Sequence, residues 1–200
     1  MIIGLTGQTG AGKTLISSIL EKQKGIAVID CDKLARRVVM NGSECLLRLA
    51  IEFSPLIIDR EGGLNRKKLG EIVFSDREKL NKLNEMIFPY ILKDLEIIIE
   101  ELKRQGAKTI VIDAPTLFES GADKMCDKIV VVVADETIRL ARIMERDNLS
   151  VEMATNRMNS QRSQEFFVKH ADFVIENSDD KASLAKSIME LLEKIKNNFE

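Results

Sequence analysis

A short run near the N-terminus combines three glycines with a lysine and a hydroxyl side chain. It spans Gly7 to Thr14, reads GQTGAGKT and fits the pattern G-x-x-x-x-G-K-[ST]. Glycines let the backbone approach a ligand more closely than a Cβ would allow, so main-chain N–H groups can hold phosphate oxygens. Lys13 suits the β- and γ-phosphates, and the Thr14 hydroxyl suits Mg²⁺. The run predicts a P-loop that binds a nucleoside triphosphate.

Acidic residues follow two of the apolar runs. Asp30 and Asp32 come at the end of one run, and strand alternation predicts that their side chains point to the same side. A carboxylate there can accept the proton of an attacking hydroxyl or hold Mg²⁺ through water. The alternative for Asp32 is the N-cap of a helix that starts at Lys33. Asp113 ends another run and is either a carboxylate near the metal or a loop-starting residue.

Arginines recur at helical spacing after the fourth apolar run. Arg139, Arg142 and Arg146 lie at i, i+3 and i+7, and Arg157 and Arg162 follow. A mobile basic flap of this kind can close over a triphosphate and neutralise charge that develops during phosphoryl transfer. The alternative is a solvated charged face whose acidic partners are Glu136, Glu145 and Asp147.

The elements that must position these residues read as strands alternating with helices. Five β-type runs lie at 2–6, 26–30, 109–113, 129–133 and 173–176. Strands separated by helices form parallel sheets, and the nearly unbroken apolar runs at 110–112 and 129–133 predict central strands. We therefore expect one α/β domain over residues 1–200, with the three-layer P-loop nucleoside triphosphate hydrolase fold and a five-stranded parallel sheet.

The segment 33–106 is helical in pattern and too long for one crossover helix, which predicts an inserted acceptor-binding subdomain. Ser75 to Glu78 resembles a capping box, Pro89 is expected to kink or restart the following helix, and Gly106 to cap its C-terminus. The last helix should be capped by Asp179 or Asp180 and pack on the sheet. A lid is placed at about residues 139–165.

Composition narrows the partner to a small molecule. The net charge is −2 with interleaved signs, which gives no footprint for a nucleic acid. Three widely spaced cysteines predict free thiols in a reducing compartment, and no apolar run approaches a membrane span. We expect a cytoplasmic protein. Asn81 to Asn84 lacks the acidic residue of the guanine-reading N-K-x-D pattern, and His170 has no assigned role.

The residues resemble the dephospho-coenzyme A kinase family over nearly the whole chain. The resemblance is most specific at Ile29–Arg36, with the pattern D-x-D-K-x-A-R, and at Pro115–Glu119, with P-x-L-F-E. Further matching pieces are Gly4–Gly7, Leu64–Arg66 with Val73–Phe74, Arg142 with Arg146–Asp147, Ala154 with Arg157 and Gln161, and Ala171–Asn177.

The resemblance implies transfer of the γ-phosphoryl group of ATP to the 3′-hydroxyl of the ribose of dephospho-CoA, with Mg²⁺. It implies catalytic roles for Asp32, as the base or the residue that orients the attacking hydroxyl, and for Lys13 and Arg142 as phosphate contacts. The residues implied to bind ATP are Gly10, Ala11, Gly12, Lys13, Thr14 and Leu15. Those implied for the acceptor are Leu117, Phe118 and Glu119, and we add Asp32 and Arg36 of the D-x-D-K-x-A-R piece. The predicted metal ligands, Thr14 and Asp113, come from the P-loop pattern and the end of the third apolar run.

Two positions depart from the family pattern. Phe88-Pro89 stands where the family commonly has His-Pro, and Pro115-Thr116-Leu117 where it commonly has Pro-Leu-Leu. If that histidine contacts the acceptor, the acceptor affinity changes while the phosphate machinery does not. The competing hypotheses are a kinase for another nucleoside or nucleotide and a nucleotide-dependent switch. The missing N-K-x-D pattern and the arginine face count against the switch.

Overall fold

The computed structural model describes residues 1–74, 76–178 and 181–197, without the side chain of Lys181. The strands are β1 Ile2–Gly7, β2 Ile26–Asp30, β3 Thr109–Asp113, β4 Lys128–Val133 and β5 Phe173–Glu176. The helices are α1 Lys13–Glu21, α2 Cys31–Arg37, α3 Glu44–Glu52, α4 Arg66–Val73, α5 Arg77–Arg104, α6 Leu117–Ser120, α7 Glu136–Asp147, α8 Val151–Asn159, α9 Gln164–Lys169 and α10 Lys181–Lys196. Pro55–Ile57 and Ala122–Met125 form 3₁₀ turns.

The strands form one five-stranded sheet in the order β2-β3-β1-β4-β5. β1 pairs in parallel with β3 and β4, and β4 pairs in parallel with β5. The predicted α/β fold with a five-stranded parallel sheet is confirmed. The two most apolar strands, β3 and β4, lie inside the sheet on either side of β1, as their composition predicted.

Alternating side chains of β4 divide the core between the two faces of the sheet. Val130 and Val132 pack on one face with Leu191 of α10 and with Ile16 of α1. Val131 and Val133 face the other side, where Phe167 of α9 packs against them. Helices therefore cover both faces, which gives the three layers that the sequence predicted. The apolar stripe of α10 is buried as expected, and its predicted caps, Asp179 and Asp180, lie outside the described residues.

The chain divides into two compact units, one of residues 1–29 with 102–200 and one of residues 30–101. The second unit is helical, and Leu46, Leu49 and Leu95 are buried in it. The helix α5 runs without interruption through Pro89, so the predicted restart there is wrong. α5 ends at Arg104, and Gly106 closes its C-terminus as predicted, since the N–H groups of Gly106 and Ala107 donate to the carbonyls of Lys103 and Leu102. Ser75, the predicted cap, lies outside the described residues.

Cys31, Cys45 and Cys126 form no disulfide among the described residues. Across the described ranges, no helix is both long enough and apolar enough to cross a bilayer.

Candidate active site

The loop between β1 and α1 is shaped by contacts to two other parts of the chain. Gly10 and Gly12 have φ angles of 79° and 90°, in the left-handed region that glycine favours. A Cβ at Gly10 would lie 2.7 Å from the carbonyl oxygen of Arg139, and one at Gly12 would overlap the amide of Asn177. Neighbouring protein atoms alone therefore require glycine at both positions.

The start of α1 supplies main-chain donors for an anion. The first N–H groups of a helix have no acceptor within the helix, and its N-terminus carries partial positive charge. Within this loop the N–H groups of Ala11 and Leu15 bond locally to the carbonyls of Gln8 and Gly12. Ala11 is fully buried, so its side chain belongs to the core, whereas Thr14 and Leu15 are exposed. The geometry suits phosphate binding at Gly12, Lys13 and Thr14.

Lys13 forms an ion pair with Asp113. Their side chains are 14% and 9% exposed. Asp113 is the last residue of β3 and lies level with Leu5 of the neighbouring strand β1. In the strand order, the chain leads from β1 toward the edge formed by β2, and from β3 in the opposite direction to β4. Open α/β sheets bind ligands at the carboxyl ends of two neighbouring strands whose connections diverge in this way. The pair therefore lies where this fold places its ligand.

The residues present suit Mg²⁺ bound together with a nucleotide. No cluster of three or more acidic, histidine or cysteine side chains that could hold a metal occurs in the described part of the chain. Mg²⁺ is usually held by one or two carboxylates together with substrate phosphates and water. The hydroxyl of Thr14 and the carboxylate of Asp113 provide that limited donor set beside the phosphate loop.

Asn177 fastens the loop to the end of β5. It is 6% exposed, and its Nδ2 donates to the carbonyl oxygen of Ala11 at 2.7 Å. Arg142 Nη1 donates to the carbonyl oxygens of Asn177 at 3.1 Å and Gly10 at 3.4 Å. Arg142 thus lies against the loop, and its phosphate role stays a prediction. Sequence reasoning gave Asn177 no role, although a polar residue directly after a buried strand was an available signal.

Arg139 does not belong to a mobile basic flap. Its side chain is buried, and its guanidinium donates from Nε to the carbonyl oxygen of Thr9 at 3.1 Å and from Nη1 to Oε1 of Gln8. Burial lowers the pKa of the Arg139 guanidinium below its ordinary value. Its helical face was predicted to close over the nucleotide from outside. Instead, this arginine is packed against the loop because its apolar neighbour Ile143 turns that side of α7 into the core.

The outer arginines follow the simpler alternative of a charged face with acidic partners. Arg146 and Arg157 both pair with Asp147, at 2.8 and 2.7 Å. The hydrogen bond from Arg146 lowers the pKa of the Asp147 carboxyl, and the same bond raises the pKa of Arg146. Arg162 Nε donates to Oε1 of Glu119 at 2.7 Å.

In the helical unit, the structure changes the interpretation of Asp30 and Asp32. β2 ends at Asp30 and α2 begins at Cys31, so strand alternation does not reach Asp32 and the expectation of a shared side is wrong. The N-cap is Asp30, whose Oδ1 accepts from the N–H of Lys33 at 3.0 Å. Asp32 lies in the first turn of α2 and is exposed, and Arg36 is exposed in its last turn. The capping alternative for Asp32 is therefore removed.

The predicted acceptor residues on α6 differ in exposure. Leu117 is fully buried, and its side chain occupies the space above Gly4 that a Cβ would need. Phe118 is half-buried and Glu119 is exposed. The ring centres of His170 and Phe118 are 5.6 Å apart, so this histidine packs against Phe118. Only Phe118 and Glu119 present side chains that a ligand could reach.

Comparison with known proteins decides the family. A family model described as dephospho-CoA kinase matches residues 1–183. The chain belongs to the dephospho-CoA kinase family. Among curated members, it is 42% identical to the dephospho-CoA kinase of Fusobacterium nucleatum, covering 98% of each chain. It is 40% identical to that of Listeria innocua, again covering 98% of each.

Solved structures agree with this assignment. The structure of a dephospho-CoA kinase from Campylobacter jejuni superposes with a TM-score of 0.71 at 31% identity and 98% coverage of each chain. The resemblance drawn from the D-x-D-K-x-A-R and P-x-L-F-E motifs is confirmed. As a member of the dephospho-CoA kinase family, the chain is an ATP-dependent phosphotransferase.

Proposed function

We propose that this kinase transfers the γ-phosphoryl group of ATP to the 3′-hydroxyl of the ribose of dephospho-CoA with Asp32 as the base, giving ADP and CoA. Family membership supports the reaction. The observation that supports the donor half is the pairing of Lys13 with Asp113 beside the phosphate loop, at the switch point of the sheet.

The transfer is an in-line displacement. The acceptor hydroxyl attacks the γ-phosphorus, the bond from that phosphorus to the bridging oxygen breaks, and ADP leaves with that oxygen. Asp32 accepts the proton of the attacking hydroxyl. Its position in the first turn of α2 and its exposure support this role, as does the capping of that helix by Asp30.

Positive groups around the loop balance the charge that spreads over the transferred phosphoryl oxygens. Lys13 contacts the β- and γ-phosphates, and Arg142, held against the loop by the carbonyl of Gly10, neutralises charge as the bond breaks. Within the ATP-binding loop Gly10 to Leu15, the main-chain N–H groups of Gly12, Lys13 and Thr14 hold the remaining phosphate oxygens. Catalysis comes chiefly from positioning and electrostatic stabilisation.

Thr14 and Asp113 would hold Mg²⁺ together with the phosphates, and a bound Mg²⁺ would supply positive charge that neutralises the phosphate oxygens. We assign the helical segment 33–106 to binding the acceptor and the segment at about 139–165, apart from the buried side chain of Arg139, to a lid. Arg36, Phe118 and Glu119 contact the acceptor, while buried Leu117 holds α6 in place.

An acceptor panel tests the proposal. The protein is incubated with ATP, Mg²⁺ and one of dephospho-CoA, adenosine, AMP, a pyrimidine nucleoside or shikimate, and ADP release is followed. We expect release to depend on dephospho-CoA and the product to carry a 3′-phosphate by ³¹P NMR. If ADP release is the same without dephospho-CoA, or larger with another acceptor, the acceptor assignment is wrong. GTP binding without any acceptor would indicate a switch instead.

A further inference from the structure

The connector between α8 and α9 is bonded directly to the phosphate loop. Its residue Gln161 accepts the main-chain N–H of Thr9 through Oε1 at 2.8 Å. Its next residue, Arg162, accepts a hydrogen bond from Nε2 of Gln8 through its carbonyl oxygen at 2.9 Å. Two consecutive connector residues thus meet two consecutive residues of the loop.

The loop residues in these bonds are fixed from the opposite side as well. Oε1 of Gln8 accepts from the buried guanidinium of Arg139, so both ends of that amide are engaged. The carbonyl oxygen of Thr9 accepts from Nε of the same guanidinium, while its N–H is held by Gln161. A shift of this part of the loop therefore moves the connector with it.

The connector also reaches α6. The side chain of Arg162 donates to Glu119 at 2.7 Å and lies 4.2 Å from the ring centre of Phe166. Phe166 in turn meets Phe118 edge to face at 5.2 Å. The two predicted acceptor residues of α6 that are not fully buried, Phe118 and Glu119, are thus both connected to Arg162, Phe118 through Phe166.

We propose that Gln161 and Arg162 are positioning residues that couple binding in the phosphate loop to binding at α6. Gln161 holds the connector on the loop. Arg162 transmits a movement of the connector to Glu119 through their hydrogen bond and to Phe118 through the ring of Phe166. This inference rests on the proposed function in one respect, the assignment of α6 to the acceptor site. Its consequence is that ATP raises the affinity for dephospho-CoA, and by linkage dephospho-CoA raises the affinity for ATP by the same factor.

The chemistry of the two contacts defines the variants. Gln161→Met has nearly the same size but no acceptor for the N–H of Thr9, whereas Gln161→Glu keeps an oxygen at that position. Arg162→Met cuts the bond to Glu119 and keeps the carbonyl that Gln8 meets. The Arg162 and Glu119 side chains are 44% and 32% exposed, and such pairs add little to stability, so this variant folds. Gln164→Met, in the first turn of α9, is the matched control.

The measurement is the Kd of dephospho-CoA by calorimetry, with and without the β,γ-methylene analogue of ATP and Mg²⁺. We expect the analogue to tighten binding at least about fivefold in the wild type, in Gln164→Met and in Gln161→Glu. We expect a change below about twofold in Gln161→Met and Arg162→Met. Circular dichroism verifies that each variant is folded. If Gln161→Met does not fold, Arg162→Met still tests the inference.

Two results would overturn the inference. One is a wild-type Kd that the ATP analogue leaves unchanged, and the other is full coupling in both methionine variants. A failure of the proposed function is seen separately, because it gives no CoA from ATP and dephospho-CoA in the wild type. Turnover of dephospho-CoA without coupling would refute only the role of Gln161 and Arg162.

Discussion

The ammonium of Lys13 pairs with the carboxylate of Asp113, joining the first residue of α1 to the last residue of β3. Both side chains are largely buried, so each charge depends on the other for compensation. The same two residues are those proposed to meet the nucleotide phosphates and Mg²⁺. One ion pair therefore both holds the start of α1 on the end of β3 and involves the two residues proposed to contact the nucleotide phosphates and Mg²⁺.

A double-mutant cycle on this pair should reveal strong coupling. Lys13→Met and Asp113→Asn each leave a buried polar group without its partner, so each should lower the free energy of unfolding. The double variant leaves neither group unpaired, so its loss should be smaller than the sum of the two single losses. We expect a coupling energy of about 1–3 kcal/mol from urea unfolding.

The exposed pair of Lys186 and Glu190, separated by 3.9 Å, is the control, and it should give below about 0.5 kcal/mol. Equal coupling energies in the two cycles would contradict the view that burial makes the Lys13 pair strong.

Asn177 should be needed for both stability and a low KM for ATP, because it holds the phosphate loop. Asn177→Ala removes the donor to the carbonyl of Ala11, and that buried carbonyl then costs about 1–3 kcal/mol. Asn177→Asp keeps the shape but turns a carboxylate oxygen toward the same carbonyl, so we expect it to be no better. The measurements are the midpoint of thermal unfolding and the KM for ATP, with exposed Asn159→Ala as the control. An Asp variant equal to the wild type would show that the hydrogen bond contributes nothing.

Much of the fold could be predicted because its strands are unusually clear. Three of the five strands have the predicted bounds, since apolar runs such as 109–113 are flanked by turn residues. Pro89 was harder, because the cost of a proline inside a helix is local and the burial of Leu83 and Ile91 on both sides of it outweighs that cost.

The site was predicted less completely, since periodicity gives a helical face but not what covers it. Arg139 and Arg142 lie one turn apart, and only the packing of α7 decides that the first is buried under the loop. Asp30 and Asp32 could not be separated because one residue determines whether the strand continues. Asn177 depends on a contact across 166 positions, which no local pattern contains.

The stability of the protein should fall at alkaline pH because of one thiol. Burial, helped by nearby Glu44, raises the pKa of Cys45 from 9.0 to about 11. The unfolded chain releases this proton first, so the stabilising contribution is full below pH 9 and is lost as the pH rises toward 11. The loss reaches at most about 3 kcal/mol.

Urea unfolding at pH 7.5, 9 and 10.5 measures this loss, and the difference between wild type and Cys45→Ala isolates it from other groups. The variant has a constant offset from the lost sulfur contacts but should lack this part of the pH dependence. Parallel curves for the two proteins would show that the thiol does not titrate differently on folding.

Replacing Pro89 should stabilise the helical unit. A proline inside a helix removes one main-chain hydrogen bond, and here it leaves the carbonyl of Glu85 without that donor. Pro89→Ala restores the donor, so we expect the free energy of unfolding to rise by about 1 kcal/mol or more. The neighbouring exposed change Glu96→Ala, on the same helix, is the control. A loss of stability would mean that the ring of Pro89, which lines a cavity with Tyr90, Met86 and Arg48, contributes more through packing.

The most direct test of the central claim is the rate of CoA formation by Asp32→Asn with ATP and dephospho-CoA. As the proton acceptor, Asp32 acts in the transition state, so its loss should lower kcat by about 100-fold or more while the KM for ATP changes by less than about threefold. Because Asp30 and not Asp32 caps α2, the variant should still fold, and its thermal unfolding checks this. A kcat within about threefold of the wild-type value would contradict the account.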